Sequence, residues 1–345
     1  MKSKVSVCVC TVMVVAMVIF MRPATAWAEE EKQAPQATTA SNSIARSVFG
    51  DAATSGQSKS DLSAPLSCPV FEGDGILLGE DRCLWTKATG QRTTQNGLTT
   101  DSPGVAIGGQ MEIAAGWFVG GALHAGWSSM QSSGISNTGQ DFSGSLALKR
   151  VAGPWLLAGA LTIGTSTSHI ARPALVGGTM QSDSSNITGG LRLRGAYDFT
   201  FSGAYLRPRL DLDAYYVNQP GFQEYGPDSI GVTVNSYQKI NTSIAPALEL
   251  GGRVDMGIMI LRPYVVGGVA FLPDNTRTVG IGLIGPAAPA GTFQVTVNAP
   301  NVLGTLESGL QLYQAHAWEV KADYTLAAGD SYLSQTLGLR GAYHF

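Results

Sequence analysis

The feature that most constrains the fold of this chain is the strict alternation of charged and apolar residues in several segments. Between positions 206 and 216, leucine, alanine and tyrosine side chains occupy one face, while two arginines and two aspartates occupy the other. A two-residue period is the geometry of a β-strand whose two faces meet different surroundings. The same pattern recurs at 191–200, 248–255 and 318–324. The chain is therefore predicted to form sheets with one apolar and one charged face.

Twelve strands are predicted in this way between Arg82 and Phe345. Short glycine-containing turns alternate with longer polar segments, which predict long loops at 129–140, 169–184, 218–238 and 273–300. Membrane β-barrels have short turns on the periplasmic side and longer loops outside, and an even strand number puts both ends of the barrel on the periplasmic side. The predicted fold class is all-β: a twelve-stranded antiparallel transmembrane β-barrel with a mostly disordered N-terminal segment.

A soluble β-sandwich is the alternative, because its strands also alternate and its charged face would meet solvent. A sandwich fold does not explain why short turns and long loops alternate along the chain. Aromatic residues near the predicted strand ends, such as Trp117, Trp155 and Trp318, suit the headgroup region of a membrane. Closure of a barrel also removes the unpaired strand edges that lipid does not tolerate. These features favour the membrane barrel.

The charged faces of the strands are predicted to line a wet lumen, because an unpaired charge facing lipid at mid-depth costs about 2 to 4 kcal/mol. One hypothesis is a network of ion pairs that stiffens the barrel. The other is a polar channel, or a lining that passes or holds an unfolded segment. The predicted lumen-facing charges are Arg192, Arg194, Arg207, Arg209, Asp211, Asp213, Glu249, Arg253, Asp255, Arg262, Glu307, Glu319, Lys321, Asp323 and Arg340.

The N-terminal part of the chain divides into three predicted segments before the barrel. Residues 1–28 have early lysines, an apolar run and small residues at 24–28, which predicts a cleaved signal peptide. A retained anchor is the alternative, but the run is short of the roughly 20 residues that a spanning helix needs. Residues 29–69 are poor in large apolar side chains and predict a short flexible passenger or linker. Residues 70–81 form a pre-barrel segment, and 82–345 form the barrel.

Cys68 and Cys83 are the two cysteines that follow the predicted signal peptide. An oxidising periplasm favours a disulfide between them, with a structural role. Two thiols do not supply a four-ligand metal site by themselves, and the four histidines are scattered without ligand spacing. No metal, cofactor or catalytic group is predicted. The formal net charge of −3 provides no basic field to attract nucleic acid.

From about Leu84 onward the chain resembles the β-domain of the type V autotransporters. The resemblance is carried by residues 84–90, 104–109 and 117–122, by Gly159 with Arg172, by Leu206-Arg207-Pro208 and Leu261-Arg262-Pro263-Tyr264, and by the C-terminal Tyr343-His344-Phe345. It implies a barrel in the outer membrane of a Gram-negative bacterium, with loops at the cell surface. It also implies that the last strand is read by the barrel-assembly machinery, with Tyr343 and Phe345 as the insertion signal.

The function that the resemblance implies is a translocator barrel that anchors or exports a short N-terminal segment. The partners expected with it are outer-membrane lipid, the assembly machinery and periplasmic chaperones, and the barrel is expected to be monomeric. Two alternatives from other classes are an outer-membrane channel or porin-like pore, and a surface adhesin acting through the loops at 218–238 and 273–300. The expected mechanism is non-catalytic in each case.

Overall fold

The computed structural model describes residues 62–66, 68–73, 75–132, 134–174, 177–227, 231–273, 276–285, 291–314 and 318–345. The predicted signal peptide and the predicted flexible segment up to residue 61 lie outside these residues. Within the described part of the chain, no helix is both long enough and apolar enough to cross a membrane. The described residues are almost entirely β-strand.

Twelve long strands form one closed antiparallel barrel, which confirms the predicted fold class. They are β1 (Cys83–Gln95), β2 (Leu98–Ala114), β3 (Trp117–Ser132), β4 (Ile135–Ala152), β5 (Trp155–Pro173), β6 (Thr179–Tyr197), β7 (Ala204–Gln219), β8 (Tyr237–Gly252), β9 (Met259–Phe271), β10 (Val302–Gln314), β11 (Trp318–Gly329) and β12 (Tyr332–His344). Each strand pairs with its neighbours in the chain. The barrel closes through β12 and β1, from Tyr332 opposite Gln95 to His344 opposite Cys83.

The two ends of the barrel differ in their connections. One end, which we call the turn end, holds the start of β1, the end of β12 and the short turns at 115–116 and 153–154. Two further turns at this end contain the short strand pieces Phe199–Thr200 and Val254–Asp255. The opposite end, which we call the loop end, carries the connections after β1, β3, β5, β7, β9 and β11.

For two of the four long loops, the prediction from the sequence is wrong. The stretches 129–140 and 169–184 are mostly strand, and the connections are confined to 133–134 and 174–178. Both stretches are rich in serine, threonine and glycine, a composition that is typical of loops. The ladders of neighbouring strands nevertheless hold them extended, because strand ends that rise beyond the lipid need no apolar side chains. The barrel wall is therefore taller at the loop end than the sequence predicts.

The other two predicted loops, at 218–238 and 273–300, contain a small sheet of four strands at the loop end. Its strands are Phe222–Gln223, Gly231–Val234, Thr276–Ile284 and Thr292–Asn298. Valine and isoleucine side chains form its buried core. The side chain of Phe222 also packs on Met130, Ile135 and Ile170, on the inner wall of the barrel. These loops therefore fold partly over the barrel opening.

The outward face of the barrel carries an apolar band bordered by aromatic side chains. On β3 the bordering residues are Trp117 and Trp127, ten positions apart. At about 3.3 Å per residue and a tilt of about 45°, this spacing spans about 23 Å, close to the roughly 25 Å band of outer-membrane barrels. At the turn end, Trp155 contacts Tyr197 edge-on, with 4.8 Å between ring centroids. The height of the apolar band therefore matches the hydrocarbon thickness that a transmembrane barrel spans.

Candidate functional site in the barrel lumen

The barrel encloses a part of the chain that precedes β1. We call residues 62–80 the lumen segment; it contains a 3-10 turn, Ala64–Leu66, and a hairpin of Pro69–Phe71 and Leu78–Glu80. Leu62 is fully buried and shares an apolar cluster with Leu66, with alanines of β4 and β5, and with Tyr215 of β7. The chain thus already packs against the barrel at Leu62, ahead of residue 70, where the sequence predicts the pre-barrel segment to start.

Small residues on the inner wall leave room for the lumen segment. A Cβ atom at Gly190 of β6 would lie 3.1 Å from a methyl carbon of Leu62. A Cβ atom at Gly120 of β3 would lie 2.7 Å from the carbonyl oxygen of Pro65. Because protein interiors are close-packed, a larger side chain at either position would have to move the segment. These glycines therefore belong to the surface that holds it.

The hairpin of the lumen segment lies in the turn end of the barrel. Phe71 packs against Tyr205 and Tyr313, with ring centroids 6.4 and 6.0 Å away. Arg253 donates hydrogen bonds to two carbonyl oxygens of the hairpin turn, at 2.7 and 2.8 Å, and its guanidinium lies 5.4 Å from the centre of the Phe71 ring. The hairpin is held by both an apolar cluster and a cation.

Cys68 and Cys83 form a disulfide that ties the lumen segment to the start of β1, closing a separation of 15 residues. Both cysteines are buried in an apolar cluster with Trp85. The guanidinium of Arg340, on β12, lies 3.0 Å from the Cys68 sulfur. The lumen segment is thus covalently fixed at the turn end.

A buried ion pair joins the end of the hairpin to the barrel wall. Lys149 of β4 has a side chain that is 0 % exposed, and its Nζ lies 2.6 Å from Oε2 of Glu80. Gln110 of β2 donates to the same carboxylate at 2.9 Å and accepts a hydrogen bond from Lys149. Surrounding polar partners are what a buried charge pair requires. This triad is a specific anchor for the segment.

Arg192 links the lumen segment to the charged lining. Its guanidinium donates to the hydroxyl of Ser63 and, through Nε and an Nη, to both carboxylate oxygens of Asp213, at 2.7 and 3.0 Å. A bidentate pair of this kind fixes the direction of the guanidinium. The remaining nitrogen is consequently aimed at the segment. The same arginine belongs to an ion pair and contacts the enclosed chain.

The predicted lumen charges mostly meet one another across neighbouring strands. The close pairs, at 2.6 or 2.7 Å, are Arg192 with Asp213, Arg194 with Asp211, and Arg262 with Glu249. The longer contacts, at 3.3 to 3.8 Å, are Arg209 with Asp211, Lys321 with Glu307 and with Asp323, and Arg340 with Glu319. Asp255 differs from the rest: it pairs with Arg253 at 2.9 Å, but its side chain is 64 % exposed at the turn end.

The lining of the lumen changes character along the barrel axis. Most of the predicted charges lie near the turn end of their strands, with Glu307 near the middle of β10, whereas small hydroxyl and amide side chains are buried towards the loop end. The latter include Thr93, Thr100, Ser102, Asn137, Ser168, Ser182, Ser184 and Asn186. The lumen segment contacts the charged part. The loop-end part offers mainly hydroxyl and amide groups to an extended chain, together with the buried ion pair of Arg172 with Glu224, at 2.6 Å.

Several lining residues lie outside the predicted set. Asp198 pairs with Arg207, Lys87 lies 3.2 Å from Asp323, and the Tyr205 hydroxyl lies within hydrogen-bonding distance of Glu249 and Arg262. Asp198 and Lys87 follow the inward parity of their own strands, so the alternation alone could have identified them. Glu80 gives no such signal because it precedes the first barrel strand.

The last strand connects the lumen network to the lipid face. The buried His344 lies 3.0 Å from Glu319 and 3.3 Å from Asp81. On the other face, Tyr343 and Phe345 are about half exposed, at 44 % and 56 %, and the backbone N–H of Phe345 donates to the carbonyl of Arg82 at 3.3 Å. The two residues of the predicted insertion signal therefore lie at the seam between β12 and β1. Among the described residues, His344, Glu319 and Asp81 included, no group of three or more His, Cys, Asp or Glu is placed to hold a metal ion.

Comparison with solved structures finds similar barrels of low sequence identity. The translocator domain of autotransporter NalP from Neisseria meningitidis is 17 % identical with a TM-score of 0.67, and the match covers 85 % of this chain and 97 % of that one. The β-domain of the Bordetella autotransporter BrkA is 18 % identical with a TM-score of 0.57, covering 77 % and 100 %. The transport unit of AIDA-I from Escherichia coli is 14 % identical with a TM-score of 0.50, covering 76 % and 90 %.

At these identities the solved structures show the fold alone. No curated protein sequence matches the chain. The family is shown by sequence, because the autotransporter β-domain model matches residues 84–325, most of the chain and nearly all of the barrel. The match confirms the resemblance seen in the sequence. The chain accordingly belongs to the autotransporter β-domain family, and its barrel is a translocator domain of the Gram-negative outer membrane, with its loops at the cell surface.

Proposed function

We propose that the barrel permanently holds the lumen segment and leads the preceding residues, 29–61, to the cell surface. The protein would then display a short N-terminal segment rather than release a large one. In this role the turn end faces the periplasm and the loop end faces outward. The proposal keeps the predicted barrel at 82–345 and ends the displayed part of the predicted 29–69 passenger or linker at residue 61, because residues 62–80 form the lumen segment.

The observation that carries this proposal is the course of the chain inside the barrel. From Leu62, fully buried among side chains well inside the barrel, the chain descends to Cys68, which is bonded to the first residue of β1 at the turn end. We infer that the residues before Leu62 continue in this direction, towards the loop end. The lining on that side is rich in hydroxyl and amide groups, which both donate and accept hydrogen bonds and so suit an extended polar chain.

A passive pore is the second candidate, since the ion-paired lumen is polar. The lumen segment disfavours it, because an apolar cluster, a disulfide and a buried ion pair all occupy the turn end of the lumen. An adhesive role for the loop-end sheet is compatible with display and does not replace it. The proposed role is non-catalytic and needs no cofactor.

We infer three kinds of partner for this barrel. Outer-membrane lipid surrounds the apolar band. The barrel-assembly machinery and periplasmic chaperones are proposed to act on the unfolded chain, with Tyr343 and Phe345 presented at the end of β12. The barrel closes on itself without an unpaired strand edge, which supports a monomeric unit.

Protease accessibility in intact cells tests the display. An epitope inserted after Gln36 is expected to be removed by protease added outside. The same epitope inserted at 286–290, between the loop-end strands Thr276–Ile284 and Thr292–Asn298, serves as the accessible control, and in the turn at 256–257 as the protected control. Protection of the Gln36 epitope, while the 286–290 epitope is cut, would contradict display and favour a periplasmic N-terminal segment.

A further inference from the structure

The outer wall of the barrel has a groove of about 630 Å³ near the loop end, across β3, β4, β5 and β6. Its floor consists of outward-facing residues that lie opposite one another in the strand ladders. One row runs Trp127, Gln140, Thr167, Ser185, and the next row runs Thr138, His169, Asp183. With neighbouring strands about 4.8 Å apart, a row across four strands is about 14 Å long. That is the length of two to three linked sugar rings.

The groove lies directly above the apolar band. The row below it contains Phe142 and Ile187, which are 54 % and 49 % exposed and face the lipid. Trp127, 47 % exposed, marks the boundary, as tryptophans do at membrane surfaces. The groove therefore begins where hydrocarbon ends. Whatever fills it belongs to the headgroup layer of the outer leaflet.

Two hydrogen-bonded side chains form one end of the groove. His169 Nδ1 lies 2.8 Å from Asp183 Oδ1. The Tyr225 hydroxyl donates to Asp183 Oδ2 at 2.9 Å, and its backbone pairs in both directions with Gln181 of β6, at 2.8 Å. This bond raises the pKa of Tyr225, so its hydroxyl keeps its proton. The loop between β7 and β8 is thereby fastened to the outer wall beside the groove.

The chemistry of this lining matches that of a sugar. Hydroxyl, amide, imidazole and carboxylate groups offer donors and acceptors in close array, and two exposed aromatic rings, Trp127 and Tyr225, stand at opposite ends. An aromatic ring with a polar edge suits ligands that are apolar on one face and polar at the rim, as pyranose rings are. Lys and Arg are missing from the residues that line the groove, which disfavours a bare phosphate as the ligand.

We propose that this outer-wall groove binds the core sugars of lipopolysaccharide in the outer leaflet around the barrel. The acyl chains of the same molecule lie along the apolar band below, beside Phe142 and Ile187. The sugars stack on Trp127 and hydrogen-bond to Gln140, Thr167 and Asp183. The groove thus fixes one glycolipid at a defined position on the wall and steadies the β7–β8 loop through Tyr225.

Native mass spectrometry of the folded full-length mature protein in detergent tests this site. The probe is purified lipopolysaccharide that carries the complete core but no O-antigen. The wild-type protein is expected to retain one probe molecule. Trp127→Ala and Asp183→Ala are each expected to weaken retention about tenfold, the loss of one good contact. Trp117→Ala is the matched control, because it removes a tryptophan from the same face of the same strand at the turn end, and its retention is expected to equal wild type.

Two comparison ligands define the class of ligand. Lipid A without core sugars is expected to bind at least tenfold more weakly than the probe and to be insensitive to Trp127→Ala. The delipidated core oligosaccharide is also expected to bind more weakly, because it lacks the acyl chains that lie on the band. Equal retention of lipid A and the probe, equal retention of the free oligosaccharide, or equal losses from Trp117→Ala and Trp127→Ala would each overturn the proposal.

Discussion

At the scale of single residues, the most demanding feature of the structure is the ion pair between Lys149 and Glu80. Both side chains are almost completely removed from solvent, at 0 % and 5 % exposure. Burying two charges gains little net stability, but removing one partner leaves the other charge uncompensated. The pair therefore fixes the position of the hairpin relative to the barrel wall. The segment fits only if Glu80 reaches Lys149.

Substitution of Glu80 tests this anchor. Glu80→Gln is expected to lower the free energy of unfolding by about 3 kcal/mol, since breaking a buried pair costs about 3 to 5 kcal/mol. Urea unfolding in lipid vesicles, followed by tryptophan fluorescence, measures the change. The double variant Glu80→Gln with Lys149→Gln is expected to recover much of the loss. Glu72→Gln, in the exposed hairpin turn, is the control, and equal effects of Glu72→Gln and Glu80→Gln would refute the anchor.

Gly190 allows a second residue-level prediction, about where the segment lies. Gly190→Leu adds volume where Leu62 packs, so it is expected to displace the segment at a cost of about 2 kcal/mol. The thiol of a Ser63→Cys variant should then react about 30-fold faster with a maleimide. Gly195→Leu is the control. Gly195 lies on the same strand but faces lipid, and a Cβ atom there would lie 3.7 Å from a methyl carbon of Leu157, an ordinary contact distance. Labelling that is as fast in the control as in Gly190→Leu would argue against this packing.

The direction predicted for each inward charge comes from the two-residue period of its own strand. Arg192, Arg194 and Asp211 could be assigned to the lumen in this way. Which of these charges pair with one another was not predicted, because pairing depends on the register between neighbouring strands. Glu80 and Ser63 could not be assigned, because they lie ahead of the first strand and their neighbours come from distant parts of the chain.

At the scale of elements, β12 both closes the barrel and ends it. Its ladder with β1 runs from one end of each strand to the other, and Trp318 of β11 packs on Tyr343 with 5.0 Å between ring centroids. Phe345 faces outward beside Arg82, whose guanidinium lies 5.9 Å from the ring. The final residue therefore belongs to the aromatic border at the turn end, at the closing seam.

Replacement of Phe345 tests the role of this end in assembly. Phe345→Glu places a charge at the lipid boundary of the closing seam and is expected to reduce the folded, heat-modifiable form in outer membranes several-fold. Phe345→Trp keeps an aromatic ring suited to the interface and is expected to assemble normally. Equal amounts of folded Phe345→Glu and wild-type protein would show that the last residue is not an insertion signal.

The disulfide makes a second prediction about an element, the hairpin of the lumen segment. Closing a loop of about 15 residues is worth about 3 kcal/mol in the chain-entropy model. Serine at both Cys68 and Cys83 is therefore expected to speed hydrogen exchange in residues 69–80 about 100-fold. The peptide 117–132 of β3 is the internal control and is expected to be unchanged. Unchanged exchange in the hairpin would mean that packing alone holds it.

Element boundaries were predictable only where lipid dictates the composition. The apolar band identifies the middle of each strand, and turns such as Gly153-Pro154 identify one end. At the loop end the strands continue through Ser, Thr and Gly, whose composition is that of loops. The turn between β1 and β2 is an example: Asn96 and Gly97 both have positive φ, at 51° and 77°, and form a two-residue hairpin between Gln95 and Leu98.

At the scale of the whole molecule, the barrel is divided along its axis. The turn end is closed by apolar contacts, a disulfide and ion pairs that all converge on the lumen segment. The loop end is lined by hydroxyls and partly covered by the small sheet that packs through Phe222. The number of strands and the outward-facing apolar band could be predicted from the sequence because both repeat along the chain. The occupation of the lumen by residues 62–80 could not be predicted, because a single buried leucine in a polar segment forms no periodic pattern.

This division predicts which deletion opens the barrel. Deleting residues 29–61 leaves the lumen segment in place, so reconstituted protein is expected to remain as closed as wild type in planar bilayers. Deleting residues 29–80 removes the segment together with Cys68 and Glu80 and is expected to produce steady conductance steps, because water and ions then pass a polar lumen. Comparable conductance of both deletions would place the closure before residue 62. Silence of both would place it at the loop end, where Phe222 packs inside the wall, and would end the interpretation of residues 62–80 as the plug.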